Sequence, residues 1–161
     1  MNRIRSMLTI ARRLFLAAAL TTTGCAGGEG TGPGAGEAGD YVLTNVDLHP
    51  PPATIHHGPW LDRVNVRFYN LYHVEITSGV LELDGDDRFV MTFNGIVVAD
   101  GQQFATSVTT EGFYEVDGDE IWLTSDHETL GTAVGTLQGR TITFAVDFMQ
   151  KGVDNEFVFQ R

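Results

Sequence analysis

The sequence predicts an all-β domain: a single antiparallel up-and-down barrel of about eight strands, with a two-sheet β-sandwich as the rival arrangement. Three observations lead there. Beyond residue 40 no stretch carries a 3.6-residue apolar period, whereas short runs of period two recur. Asp-Gly and Gln-Gly pairs, which form tight turns, separate those runs. The alternation is also one-sided. Phe89, Met91 and Phe93 share a face, Ile142, Phe144, Val146 and Phe148 share another with Thr141, Thr143 and Asp147 opposite, and Phe157 and Phe159 share a third. Each strand therefore has one buried and one wet side, and a meander of such strands hides its edges best by closing on itself.

The first forty residues stand apart from this pattern. "MNRIRSMLTIARR" carries four arginines and no acid, and "LFLAAAL" (14–20) is a short apolar run. That combination predicts a secretory signal peptide over 1–24; the run is well short of the roughly 20 residues that span a bilayer. The sole cysteine, Cys25, follows directly and can form no internal disulfide. "AGGEGTGPGAGEAGD" (26–40) has no large apolar side chain, so with Cys25 it reads as a flexible tether before a domain over 41–161.

Within that domain "YVLTNVDL" (41–48) is the first strand, and "HPPPATIHHGP" reads as a proline-rich loop. "RVNVRFYNLYHVEI" (63–76) alternates at first, which places Val64, Val66 and Phe68 on one face. Three hairpins follow: 79–93 through Asp84-Gly85, 112–125 through Asp117-Gly118, and 132–148 through Gln138-Gly139. "NEFVFQR" (155–161) is the last strand.

Composition narrows the functional classes. The chain has 161 residues, 42% of them hydrophobic and 19% charged, as a globular domain requires. The net charge of −11 includes the four arginines of the leader, which leaves −15 on residues 25–161. So acidic a surface repels phosphate backbones and is not drawn to anionic lipid by charge, so no nucleic-acid partner is expected.

Two resemblances add to this reading. "TTGC" (22–25) resembles the lipobox of bacterial lipoproteins, with Gly24 and Thr23 in the expected places and Thr22 where leucine is usual. The resemblance implies a diacylglyceryl thioether on Cys25, cleavage before it, and a lipid-anchored protein of the cell envelope facing outside the cytoplasm. Ala26, in place of an aspartate, implies the outer membrane where two membranes are present. Stable anchoring takes two or more acyl chains. The order "YVLTNVDLHPPP", "VEITSGVLELDGDDRFVMTF", "TTEGFYEVDGDEIWLTS", "VGTLQGRTITF" and "FVFQR" is similar to the small lipocalin-like domains of bacterial envelope proteins. That similarity implies an eight-stranded antiparallel barrel and no fixed activity. Gly58-Pro59-Trp60 resembles the Gly-x-Trp of true lipocalins but falls after the first strand.

Candidate sites follow from residue types. Trp60, Tyr69, Tyr72, Phe89, Met91, Phe93, Trp122 and Phe144 are the candidate lining of a pocket for a small apolar or amphipathic ligand. No metal site is expected: His56 and His57 with His49 invite one, but adjacent strand residues point to opposite faces and no Cys or Glu lies near. "DGDD" (84–87) and "DGDE" (117–120) match hairpin turns better than a calcium loop. The chain has no Gly-x-Ser-x-Gly, His-Glu-x-x-His or phosphate loop, and Asp126-His127-Glu128 reads as an exposed polar loop, so neither an enzyme nor a cofactor is expected. The alternative function is a non-catalytic structural or protein-interaction module of the envelope.

Overall fold

The computed structural model describes residues 36–62, 65–126, 131–149 and 151–161. The leader, Cys25, the tether as far as residue 35, Val64, and His127 and Glu128 lie outside them. Nine strands follow in chain order: β1 (Gly39–Val46), β2 (Ala53–Asp62), β3 (Arg67–Leu83), β4 (Arg88–Ala99), β5 (Gln102–Asp117), β6 (Glu120–Ser125), β7 (Thr132–Gln138), β8 (Thr141–Val146) and β9 (Asn155–Gln160). Successive strands from β2 to β9 pair antiparallel, and β1 joins β9 on one side and β3 on the other. The result is a closed eight-stranded antiparallel barrel, the architecture of a lipocalin-like domain, built from β1 and β3 to β9.

The ninth strand comes from the predicted proline-rich loop. Residues 53–62 form β2, which pairs with the first part of β3 from Ala53↔Ile76 to Asp62↔Arg67. β1 pairs with the last part of the same strand, from Gly39↔Leu83 to Val42↔Val80. The two short strands thus lie end to end along one edge of β3. With the second half of β4 and the first half of β5, β2 and β3 form a four-stranded extension beyond the barrel. Leu83 and Arg67 are sixteen residues apart, so the extension ends about 50 Å from the point where the chain enters β1.

Val66 and Phe68, the described members of the expected Val64–Val66–Phe68 face, do not share a buried strand face. The chain reverses before β3: Asn65 donates its backbone N–H to Asp62 Oδ1 at 3.0 Å and its side-chain amide to Oδ2 at 2.8 Å. Val66 sits in this turn at φ 51° and is exposed, and Phe68 also faces solvent.

The hairpin turns behave differently from one another. Gly118 and Gly139 take φ 62° and 63°, the left-handed conformation that tight turns require. At "DGDD" the left-handed residue is Asp87 (φ 59°) rather than Gly85. Asp84 Oδ1 closes that turn by accepting the backbone N–H groups of Asp86 (2.9 Å) and Arg88 (2.8 Å).

The barrel interior is aromatic. Phe157 and Phe159 are wholly buried, and Phe144 stacks on Phe159 with ring centroids 5.5 Å apart. Phe93 meets Phe157 at 5.0 Å and Phe148 at 5.5 Å. Each such ring contributes roughly 1.5–3 kcal/mol by leaving water. Room for the rings is made by missing side chains. A Cβ on Gly112 would lie 2.0 Å from the Thr124 carbonyl oxygen and 2.8 Å from the Phe89 ring.

Candidate functional site

The predicted pocket residues fall mainly at two places, the barrel interior and the inner face of the extension. The interior is nearly full. Its cavity, lined by Phe89, Met91, Thr110, Leu123, Phe144 and Phe148 among others, holds about 30 Å³. That is room for a water molecule or two, against roughly 300–1,000 Å³ for a small-molecule site. Phe93, Phe148, Phe157 and Phe159 occupy the space a ligand would need.

The extension is built the other way. Two register shifts in the β2–β3 ladder, an extra β2 residue between Thr54 and His56 and an extra β3 residue between Tyr69 and Tyr72, bring His56, Trp60, Tyr69 and Tyr72 to its inner face. Trp60 stacks on Tyr72 with centroids 5.9 Å apart, Tyr69 lies 5.3 Å from Tyr72, and His56 meets Trp60 edge-on at 5.7 Å. On β5 the same face carries Phe104 (paired with Val97), Val108 (paired with Phe93) and Thr110 (paired with Met91). Phe104 and Val108 are 55% and 38% exposed although they face inward, so an open apolar strip leads from the rim to the small cavity.

Lys151, from the connection between β8 and β9, reaches this aromatic group. Its ammonium lies 5.8 Å from the Trp60 ring centroid, a cation–π contact, and bonds His56 Nδ1. Burial holds the Lys151 pKa below its ordinary value, against the opposing pull of Asp147. Burial, and then the charge of Lys151, lower that of His56. His56 Nε2 is buried without a hydrogen-bond partner. Burial alone would raise the Asp147 pKa, but the backbone N–H groups of Lys151, Gly152 and Met149 outweigh it and hold the carboxyl low. Asp147 thus fixes the backbone at Lys151, and the ammonium rests on the Trp60 face and His56.

The predicted pocket residues fall into separate groups. Trp60, Tyr69 and Tyr72 gather on the extension, whereas Phe89, Met91 and Phe144 line the small interior cavity. Phe93 lies in the aromatic stack of the core. Trp122 points outward: it pairs with exposed Val134, while its neighbours Ile121 and Leu123 face the core. Phe104, Val108 and Lys151 were not expected. Only the "FATSV" alternation hinted at the first two, and Lys151 lies 95 residues from His56.

His56 and His57 do point to opposite faces, as strand geometry requires. His57 turns outward and meets His73, its partner in the ladder. Among the described residues no group of three or more His, Cys, Asp or Glu side chains gathers as a metal centre. Asp126 is engaged by Arg88, whose Nη2 lies 2.7 Å from its carboxylate. No helix among the described residues is long and apolar enough to cross a membrane.

No protein-family model, curated protein or solved structure matches the chain.

Proposed function

We propose that this chain is a cell-envelope lipoprotein, anchored through lipid on Cys25, whose barrel is a filled scaffold and whose extension binds a small apolar or amphipathic molecule. The observation that carries the proposal is the contrast between a 30 Å³ interior and an inward-facing yet half-open Phe104 on the same sheet face as the Trp60–Tyr72 stack. A flat apolar body lies along Phe104 and Val108, and a polar or anionic end reaches Lys151. Binding at the rim needs no rearrangement of the packed rings below.

Native mass spectrometry of the full chain, extracted in mild detergent from the envelope of its source, tests the binding. The expected result is an excess mass that disappears on denaturation and is absent from a Phe104→Asp variant. Retention of that mass by Phe104→Asp would contradict the placement at the rim. The anchor is tested separately: Cys25→Ser releases the protein from the membrane fraction, and retention after a high-salt wash would overturn it.

A second reading, a protein-interaction module, has its own observation. The outer face of the extension exposes Leu61 and Phe68 as a cross-strand pair (50% and 58%), with Leu71 nearby at 43%. Exposed apolar groups concentrated in one place mark contact surfaces. A clean mass without adduct, together with a cross-link from the extension to an envelope protein, would favour this reading over the first.

A further inference from the structure

Adjacent histidines along β2 point to opposite faces, but the β2–β3 ladder brings a second histidine to one face from across the sheet. His57 and His73 are direct register partners on the outer face, one on each arm of the hairpin. Their Nδ1 atoms face one another at 3.4 Å, with ring planes at 74°. We propose that His57 and His73 form a two-histidine clamp for a divalent zinc ion.

The separation is the argument. Zinc–nitrogen bonds of about 2.0–2.1 Å at a tetrahedral angle place the two nitrogens about 3.3–3.4 Å apart. A square-planar ion with its ligands at right angles needs only about 2.9 Å, so the geometry prefers zinc to copper(II). Without the ion, one Nδ1–H donates to the other Nδ1. With the ion, both Nδ1 lone pairs turn to the metal and both rings carry their proton on Nε2. On the far side of His73, Glu75 Oε2 stands 3.9 Å from Nε2, where a carboxylate favours that tautomer and raises the ring's donor strength.

Both rings sit on paired strands rather than on a loop, which keeps the two nitrogens in place. His57 is exposed and His73 retains 26% of its side-chain surface, so the ion has access. The chain's charge of −11 favours a cation. Two coordination positions stay open to water or to an incoming donor. The site is distinct from the inner aromatic face and does not depend on it for function.

The test is calorimetric titration of the untagged full chain with Zn²⁺ alone in a non-coordinating buffer. One ion per chain is expected. His57→Ala and His73→Ala each weaken binding by at least about tenfold, the lower limit for losing even an outer-sphere partner. His56→Ala, on the opposite face, changes it by less than about twofold. A thermal melt without metal accompanies each variant, and His57→Ala, at an exposed position, leaves it unchanged. Tetrahedral Co²⁺ absorption that appears in the parent and vanishes in His73→Ala supplies a second readout. Absence of saturable binding would overturn the clamp, as would wild-type affinity in His73→Ala or an equal loss in His56→Ala.

Discussion

The two ends of β3 show what one strand can be used for. Toward Leu83 it is a barrel stave: Leu81 and Leu83 are buried, β1 and β4 flank it, and the rings of Phe89, Phe157 and Phe159 fill the space within. Toward Arg67 β2 takes the place of β1, the β4 ladder reaches only to Tyr72, Phe68 and Leu71 are exposed, and the inner face holds a layer of aromatics. The Leu83 end is paired on both sides and buried, whereas the Arg67 end is paired on one side and largely open. Stability should therefore concentrate in the barrel and recognition in the extension, because a surface already filled by its own side chains has nothing left to offer a partner.

Substitutions in the two regions should differ sharply. Phe159→Ala, at the centre of the ring stack, should cost about 3–5 kcal/mol in urea unfolding. Gly112→Ala should cost about 1–3 kcal/mol, because its Cβ meets the Thr124 carbonyl and the Phe89 ring and the strands must part. Phe68→Ser on the extension should stay within about 0.5 kcal/mol. If Phe68→Ser proved as costly as Phe159→Ala, the contrast between the two regions would fail.

Alkaline pH gives a subtler comparison. Burial raises the pKa of Tyr114 and of Tyr41 in the barrel, and burial raises that of Tyr72 in the extension. Each folded phenol keeps its proton longer than the unfolded one, which ionises near pH 10. The stabilisation is therefore complete below about pH 10 and is lost as pH rises through the folded values. Tyr114 also donates to the Asp84 carbonyl at 2.7 Å. Tyr114→Phe should cost about 1 kcal/mol at neutral pH and make the alkaline decline shallower. Urea midpoints measured from pH 8 to 11 would show both effects, and an unchanged alkaline slope would contradict the assignment to Tyr114.

Much of the barrel was legible because its strands follow simple rules. The period-two runs around Phe89, Phe144 and Phe157 placed their buried faces correctly, and Gly118 and Gly139 marked their turns. The extension was harder to read for physical reasons. Pro51 and Pro52 stand just before β2, Gly58 and Pro59 break its alternation, and two bulges in the β2–β3 ladder shift its register, so the run looked like a loop. Val66 resembles a strand residue by type, but Asp62 and Asn65 fix a turn there. Trp122 shows the limit of composition: its aromatic ring suggested a pocket, while parity with Ile121 and Leu123 sends it outward. The His57–His73 pair and the Lys151–His56 contact depend on pairing across the fold, which no spacing along the chain contains.

The central claim is that the barrel is filled and that the extension receives the ligand. Its most direct test is a residue-resolved amide shift map of the full chain titrated with 1-anilinonaphthalene-8-sulfonate, an amphipathic apolar anion. The account predicts saturable changes at Trp60, Tyr72, Phe104, Val108 and Lys151, with β7 to β9 unmoved. Changes centred on Phe144, Phe157 and Phe159, with the extension silent, would contradict it and place the ligand inside the barrel.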